Sequence, residues 1–274
     1  MIELFLIVVG LVGGFAAGIY DLKTTNVPDK VCIAMILIGL STHVLTGIFT
    51  GDFSYFIYSL IFGGIFLVFG LGMYYTGQWG GGDGELLVAT GVVLPILHST
   101  KTIFPFAISF FMNSFFVGAV WSILYSLVYV YKKPKVYRKF FNDIREPKIF
   151  SILLVPLVLS AFLLAFNIFA AVVVFLAFVM VLLLKFSKVI ELAFYKRIPV
   201  RELNVDDMLG EDIPKLRLYK KHIKGLTKSQ VSRIKKNKRF VVIREGIRYG
   251  IVFPLALLLT VFFGDLILLF FSSA

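Results

Sequence analysis

The chain has 274 residues, 59% of them hydrophobic and 16% charged, with a mean hydropathy of +0.91. Soluble domains average about 45–50% apolar residues, so a soluble globular enzyme is excluded and lipid is the solvent for most of this chain. In a soluble protein the formal net charge of +12 would point to nucleic acid; here it is read as Lys and Arg gathered on the cytoplasmic side against anionic lipid, with no nucleic acid partner.

Residues 2–20 form the first apolar run. They lack a basic n-region and carry Glu3, so they read as a retained span rather than a cleaved signal peptide. At roughly 20 apolar residues per crossing, the further candidate spans are about 31–49, 54–75, 84–99, 103–131, 149–184 and 249–271. Segment 132–148 holds seven Lys/Arg against two Asp/Glu, a net +5, and segment 185–248 holds 18 against 7, a net +11. Both are expected on the cytoplasmic side. A single crossing between them would separate them, so 149–184 is expected to be a tight hairpin turning near Asn167, or a re-entrant element. Tracing back, loops 21–30 and 76–83 are cytoplasmic, while the loops near Asp52 and Lys101 and both termini are outside.

The expected fold is therefore an all-α polytopic membrane protein with about eight transmembrane helices (six to eight) and a small cytoplasmic subdomain. Its divisions are a transmembrane core (1–131), a basic loop and hairpin (132–184), a basic subdomain (185–248) and a C-terminal span (249–274). Within 185–248, "NVDD" and "LTKSQ" carry turn and capping signals and "RFVVI" reads as a short strand.

Asp21 ends the first span and Asp83 begins the fourth, so the threading puts both at the cytoplasmic edge at similar depth. Carboxylates beside hydrocarbon are costly and tend to face a bundle interior and do chemistry. Two that meet cannot both ionise and share one proton, which supplies a base for water and an acid for a leaving amine. Gly80, Gly81, Gly82 and Gly84 strip side chains from around Asp83 and leave room for a substrate strand. Taken singly, each aspartate reads as an interfacial charge, Asp21 beside Lys23 and Asp83 in a flexible turn; the pair at one depth favours a site. The lone Cys32 excludes an intrachain disulfide and a cysteine-built zinc site, and His43, His98 and His222 are scattered, so neither metal nor cofactor is expected.

"GGGDGELLVAT" resembles the GxGD motif of membrane-embedded aspartic proteases. "DLKTTNVPDK" resembles the segment that follows the first span in type IV prepilin peptidases. In this order, 62 residues apart, the two motifs are similar to those of the prepilin and preflagellin peptidase family, in an archaeal form, over residues 1–100. The resemblance implies an aspartic endopeptidase with Asp21 and Asp83 as the catalytic pair. It implies cleavage of basic class III leaders from pilin-like or archaellin precursors at the cytoplasmic face. Glu85 stands where many members carry Lys, the cysteine-rich insertion of bacterial members is absent, and there is no sign of an N-methyltransferase module; peptidase activity alone is expected. Glu85 and Asp29, with Asp206, Asp207, Glu211 and Asp212 further on, are candidate acids for a basic leader, although Asp206 and Asp207 read slightly better as capping or charge-balancing residues.

Other readings use the same residues. A proton-coupled transporter would relay protons through Asp21 and Asp83, but transport sites sit near the midplane and come with repeats that this sequence does not show. A presenilin-like protease shares a Tyr-Asp pair with Tyr20-Asp21, but there the two aspartates lie on consecutive spans. A non-enzymatic scaffold would use 185–248 as a docking platform.

Overall fold

The structure, a computed structural model, describes residues 2–100, 102–167, 192–205, 207–219 and 225–266, with isolated positions between 170 and 186. Four helices are long and apolar enough to cross a bilayer: α1 (Ile2–Thr24), α2 (Asp29–Thr50), α3 (Ser54–Thr76) and α5 (Phe106–Tyr131). The count rises to five if the bent pair Val136–Arg145 and Pro147–Leu163 is one span. The chain is a multi-pass membrane protein.

The eight expected crossings are thus four or five among the described residues. Apolar runs in the sequence continue through residues that end helices. The fourth run gives α4 (Gly81–Val93), only 13 residues long, because the chain leaves the helix at Leu94 ahead of Pro95, and the residue before a proline disfavours helical backbone. The last run gives a 12-residue helix, α9 (Val252–Phe263), closed by Gly264 at φ 68°. The chain does turn at 164–167, but most of the second arm of the expected hairpin lies outside the described residues.

The chain divides into two compact units, Met1–Ile123 with Ile247–Ala274, and Leu124–Gly246. In the first, α4 is the centre. Leu86, Leu87, Ala89 and Val93 are fully buried, and a helix that is apolar all round belongs inside a bundle. Its neighbours approach through glycine. A Cβ on Gly39 of α2 would lie 3.0 Å from the Val93 backbone, and one on Gly70 of α3 would lie 3.0 Å from that of Gly84. Small residues bring helices this close where no hydrophobic effect drives them together.

A short helix inside apolar surroundings must also satisfy its terminal backbone groups. His43 Nε2 lies 3.2 Å from the carbonyl oxygen of Val93, and Ser59 Oγ donates to that of Val92 at 2.7 Å. These two buried polar side chains therefore close the C-terminal end of α4. At the far end of α1, Glu3 accepts from the backbone N–H groups of His98 and Ser99 at 2.9 and 3.2 Å, which ties the loop after α4 to the start of the chain.

In the second unit, α6 (Pro134–Arg145) carries Val136, Tyr137 and Ile144 on one face and Arg138, Lys139 and Arg145 on the other. It turns by 73° into α7 (Pro147–Leu163). A three-stranded antiparallel sheet follows in the order β1 (Tyr195–Pro199), β3 (Phe240–Arg244), β2 (Met208–Leu209). The strand expected at "RFVVI" is the central one, with Val241 and Ile243 pointing inward. Helix α8 (Lys228–Asn237) starts at Thr227, which exchanges capping hydrogen bonds with Gln230. Val231 and Ile234, three apart, face a core with Ile198, Leu203, Leu209 and Leu226. The "NVDD" turn closes when Asn204 N–H donates to Asp207 at 2.7 Å.

Candidate active site

Asp21 lies in the last turn of α1 and is 6% exposed. Its Oδ2 accepts from the backbone N–H of Gly250 at 3.0 Å. Asp83 is the third residue of α4, half-buried, and its Oδ2 accepts from the N–H of Gly80 at 3.1 Å. This is the return half of a capping box: the side chain reaches back to the N–H that the first turn leaves unpaired. The carboxylates are close enough for the charge of Asp21 to act on Asp83.

Val27 sets this proximity. It belongs to the "NVPDK" segment between α1 and α2 and is 3% exposed. A Cβ on Gly82 would lie 2.5 Å from Val27 Cβ, and one on Gly250 would lie 3.2 Å from Val27 Cγ2. One side chain thus wedges between the residue before Asp83 and the residue that donates to Asp21. Pro28 then fixes the entry to α2.

The four glycines around Asp83 have separate uses. Gly80 supplies the N–H that Asp83 caps, and Gly82 makes way for Val27. Gly84 makes way for Gly70. Gly81 has only ordinary contact beside it, Tyr74 at 3.8 Å. The close approaches seen at Gly82 and Gly84 are those of the chain's own packing. Glu85 and Asp29 are both exposed, and the charge of Asp29 acts on Glu85, so these two acids share a neighbourhood at the mouth of α4. The acids further along are occupied in the sheet unit: Glu211 pairs with Lys238 at 2.7 Å and Asp207 closes its turn, while Asp206 lies outside the described residues.

The third side of the site comes from residues that sequence reasoning missed, Arg248, Tyr249 and Gly250, just ahead of α9. The Arg248 guanidinium donates to the carbonyl oxygen of Leu22, and its charge acts on Asp21. Tyr249 is in electrostatic reach of Asp83 and packs on Trp79, with ring centroids 5.5 Å apart. The segment is pinned to α5: Trp121 Nε1 donates to the Arg248 carbonyl at 2.9 Å, and Tyr249 Oη donates to that of Ser114 at 3.3 Å. The available signal was "RYGIVFP", an arginine, a tyrosine and a glycine at the threshold of an apolar run.

Among the described residues no group of three or more His, Cys, Asp or Glu is placed to hold a metal ion. What the arrangement offers is two carboxylates at opposite helix ends within electrostatic reach of each other, with one cation and two backbone N–H groups around them.

Residues 8–123 match the model of the type IV leader peptidase family. Over 90 residues the chain is 36% identical to the preflagellin peptidase of Methanocaldococcus jannaschii, an alignment covering 32% of this chain. The chain spans 37% of the length of that relative. The helices that carry both carboxylates are thus the part of this chain that is similar to the type IV leader peptidases.

Proposed function

We propose that the protein is a membrane-embedded aspartic endopeptidase that removes the basic leader peptide from pilin-like or archaellin precursors at the cytoplasmic face of the membrane. The observation that supports this reading is that Asp21 and Asp83, at the ends of two helices, lie within electrostatic reach of each other inside the stretch shared with the leader peptidases.

The chemistry needs no further group. One carboxylate takes a proton from water as the water oxygen attacks the scissile carbonyl carbon. The other donates its proton to the carbonyl oxygen, giving a neutral tetrahedral diol. Collapse of the diol breaks the C–N bond, and the departing nitrogen takes the proton held by the first carboxyl. A basic leader finds Asp29 and Glu85 beside the pair. An exposed charge pair is worth only about 0–1 kcal/mol, so leader recognition rests on several such contacts together.

Co-expression with archaellin-like and pilin-like precursors tests the proposal through the gel shift that leader removal produces. Asp21→Asn and Asp83→Asn are each expected to lower cleavage by roughly a thousandfold or more, since residues that act as a unit fail together. Both variants should remain in the membrane at wild-type amounts. Asp29→Asn is expected to be milder. Full cleavage by either variant of the pair removes the aspartic mechanism, and an uncut precursor with the wild-type protein leaves proton transport as the use of the pair.

A further inference from the structure

We propose that Arg248 decides which carboxylate of the pair carries the negative charge, so that Asp21 stays ionised and activates water while Asp83 holds the shared proton. This rests on the reading of Asp21 and Asp83 as a catalytic pair and adds a division of labour within it.

The helix ends alone predict the opposite assignment. Asp21 sits three residues from the C-terminus of α1, where unpaired carbonyls place partial negative charge. Asp83 sits in the first turn of α4, where unpaired N–H groups place partial positive charge, and it already accepts from Gly80. With nothing else present, the charge would settle on Asp83 and the proton on Asp21.

The segment ahead of α9 reverses that balance. Gly250 N–H donates to Asp21 Oδ2, a bond that favours the charged form. Arg248 brings a permanent cation to the end of α1 by donating to the carbonyl oxygen of Leu22, the next residue after Asp21. The cation is not spent on another carboxylate: the ion pairs among the described residues are Lys196–Glu245, Arg201–Glu202 and Lys238–Glu211. Its Nε–H is buried and without a hydrogen-bond partner among those residues. A guanidinium held in low dielectric acts at longer range than one in water. The ties of Trp121 and Tyr249 to α5 fix where it stands.

The other charged or titratable groups do not compete for this role. Tyr249 lies on the Asp83 side, where the charge of Asp83 acts on it. Asp29 acts on Glu85. Lys23, in the same last turn of α1, is exposed.

The test is the pH dependence of kcat/KM for a precursor peptide, with the full-length protein in proteoliposomes. Arg248→Gln removes the cation, so the pair binds protons more tightly and the whole bell moves to higher pH. The acid limb is expected to shift by about one pH unit, a tenfold loss of rate on that limb that recovers as the pH rises. Arg248→Lys keeps the charge and is expected to hold the limb within about 0.3 unit of wild type. It carries the test by itself if the Gln variant fails to accumulate, and a limb displaced by a full unit in the Lys variant overturns the proposal. A uniform loss of rate with unmoved limbs in Arg248→Gln, the result of a merely structural role, overturns it too. Activity surviving in Asp21→Asn or Asp83→Asn would bring down the pair itself. Inactive Asn variants alongside unmoved Arg248→Gln limbs would bring down only the division of roles.

Discussion

In the helical unit around α4, Val68 and Phe49 stand on the surface while Asp21, His43, Ser59 and Asn113 are buried. Around the small sheet, Leu203, Ile234 and Val241 are buried while Lys196, Arg197, Lys235 and Arg239 face outward. The difference is one of solvent. Where water surrounds the chain, apolar side chains gain by going inside. Where lipid tails surround it, an apolar side chain gains nothing by burial, and the interior is left to glycine, to close backbone contact and to polar groups that need partners. Asn113 shows how completely those partners are supplied. Its amide donates to Thr260 and to the Gly264 carbonyl and accepts from Leu266 N–H, binding α5 to the end of α9.

The contrast can be broken most forcibly by truncations to alanine in the two regions. Leu203→Ala, at a position with 0% exposure in the sheet core, is expected to cost about 2–5 kcal/mol. Val68→Ala, at 73% exposure on α3, should stay within about 0.5 kcal/mol. Protease resistance of the sheet unit and thermal unfolding of the solubilised protein read the two. Comparable losses at both positions would mean that Val68 packs against protein rather than lipid.

A smaller effect separates two glycines of the helical unit. A Cβ on Gly18 would lie 2.7 Å from Ile251 Cα, backbone that cannot swing aside, and would push the Arg248–Gly250 segment away from Asp21. A Cβ on Gly64 would meet nothing within 4 Å. Gly18→Ala is expected to reduce precursor cleavage by about tenfold or more, the scale on which small displacements of catalytic groups act. Gly64→Ala should leave it unchanged in the same gel-shift assay.

The smallest effect concerns charge on the watery side of the comparison. Glu245 is half-buried, and burial pushes its carboxyl up. Hydrogen bonds from Tyr129 at 2.6 Å and Lys196 at 3.0 Å, with the charges of Lys196 and Lys133, outweigh this and hold it below the usual carboxylate range. A lowered carboxyl contributes stability that is present above its unfolded value, near pH 4.3, and is lost as pH falls through the folded one. The sheet unit should therefore lose about 1 kcal/mol or less on acidification below pH 4. Glu245→Gln should flatten that part of the profile of melting temperature against pH.

The two carboxylates were legible in the sequence because each sits in a short motif at the edge of an apolar run, where a charge is conspicuous. The strand at "RFVVI" and the cap at "LTKSQ" were legible because their signals are local. The length of α4 was not, since a run of apolar residues looks the same whether it crosses a bilayer or stops at a proline inside a bundle. The purpose of Gly82 was hidden as well: an approach by Val27, 55 positions earlier, and one by a substrate leave the same bare glycine in the sequence. Arg248 and Gly250 read as the tail of a basic segment, because the hydrogen bond that gives Gly250 its role joins residues 229 positions apart.

That separation also orders events in time. Asp21 and Asp83 leave the ribosome early, whereas the guanidinium that contacts the end of α1 is 226 positions behind its acceptor. At about 5–20 residues per second, roughly 10–45 s pass between the synthesis of Leu22 and that of Arg248. During that interval the nascent chain carries both acids without their third wall, and a ribosome that stalls before residue 248 leaves a membrane-inserted fragment whose acidic pair was never enclosed.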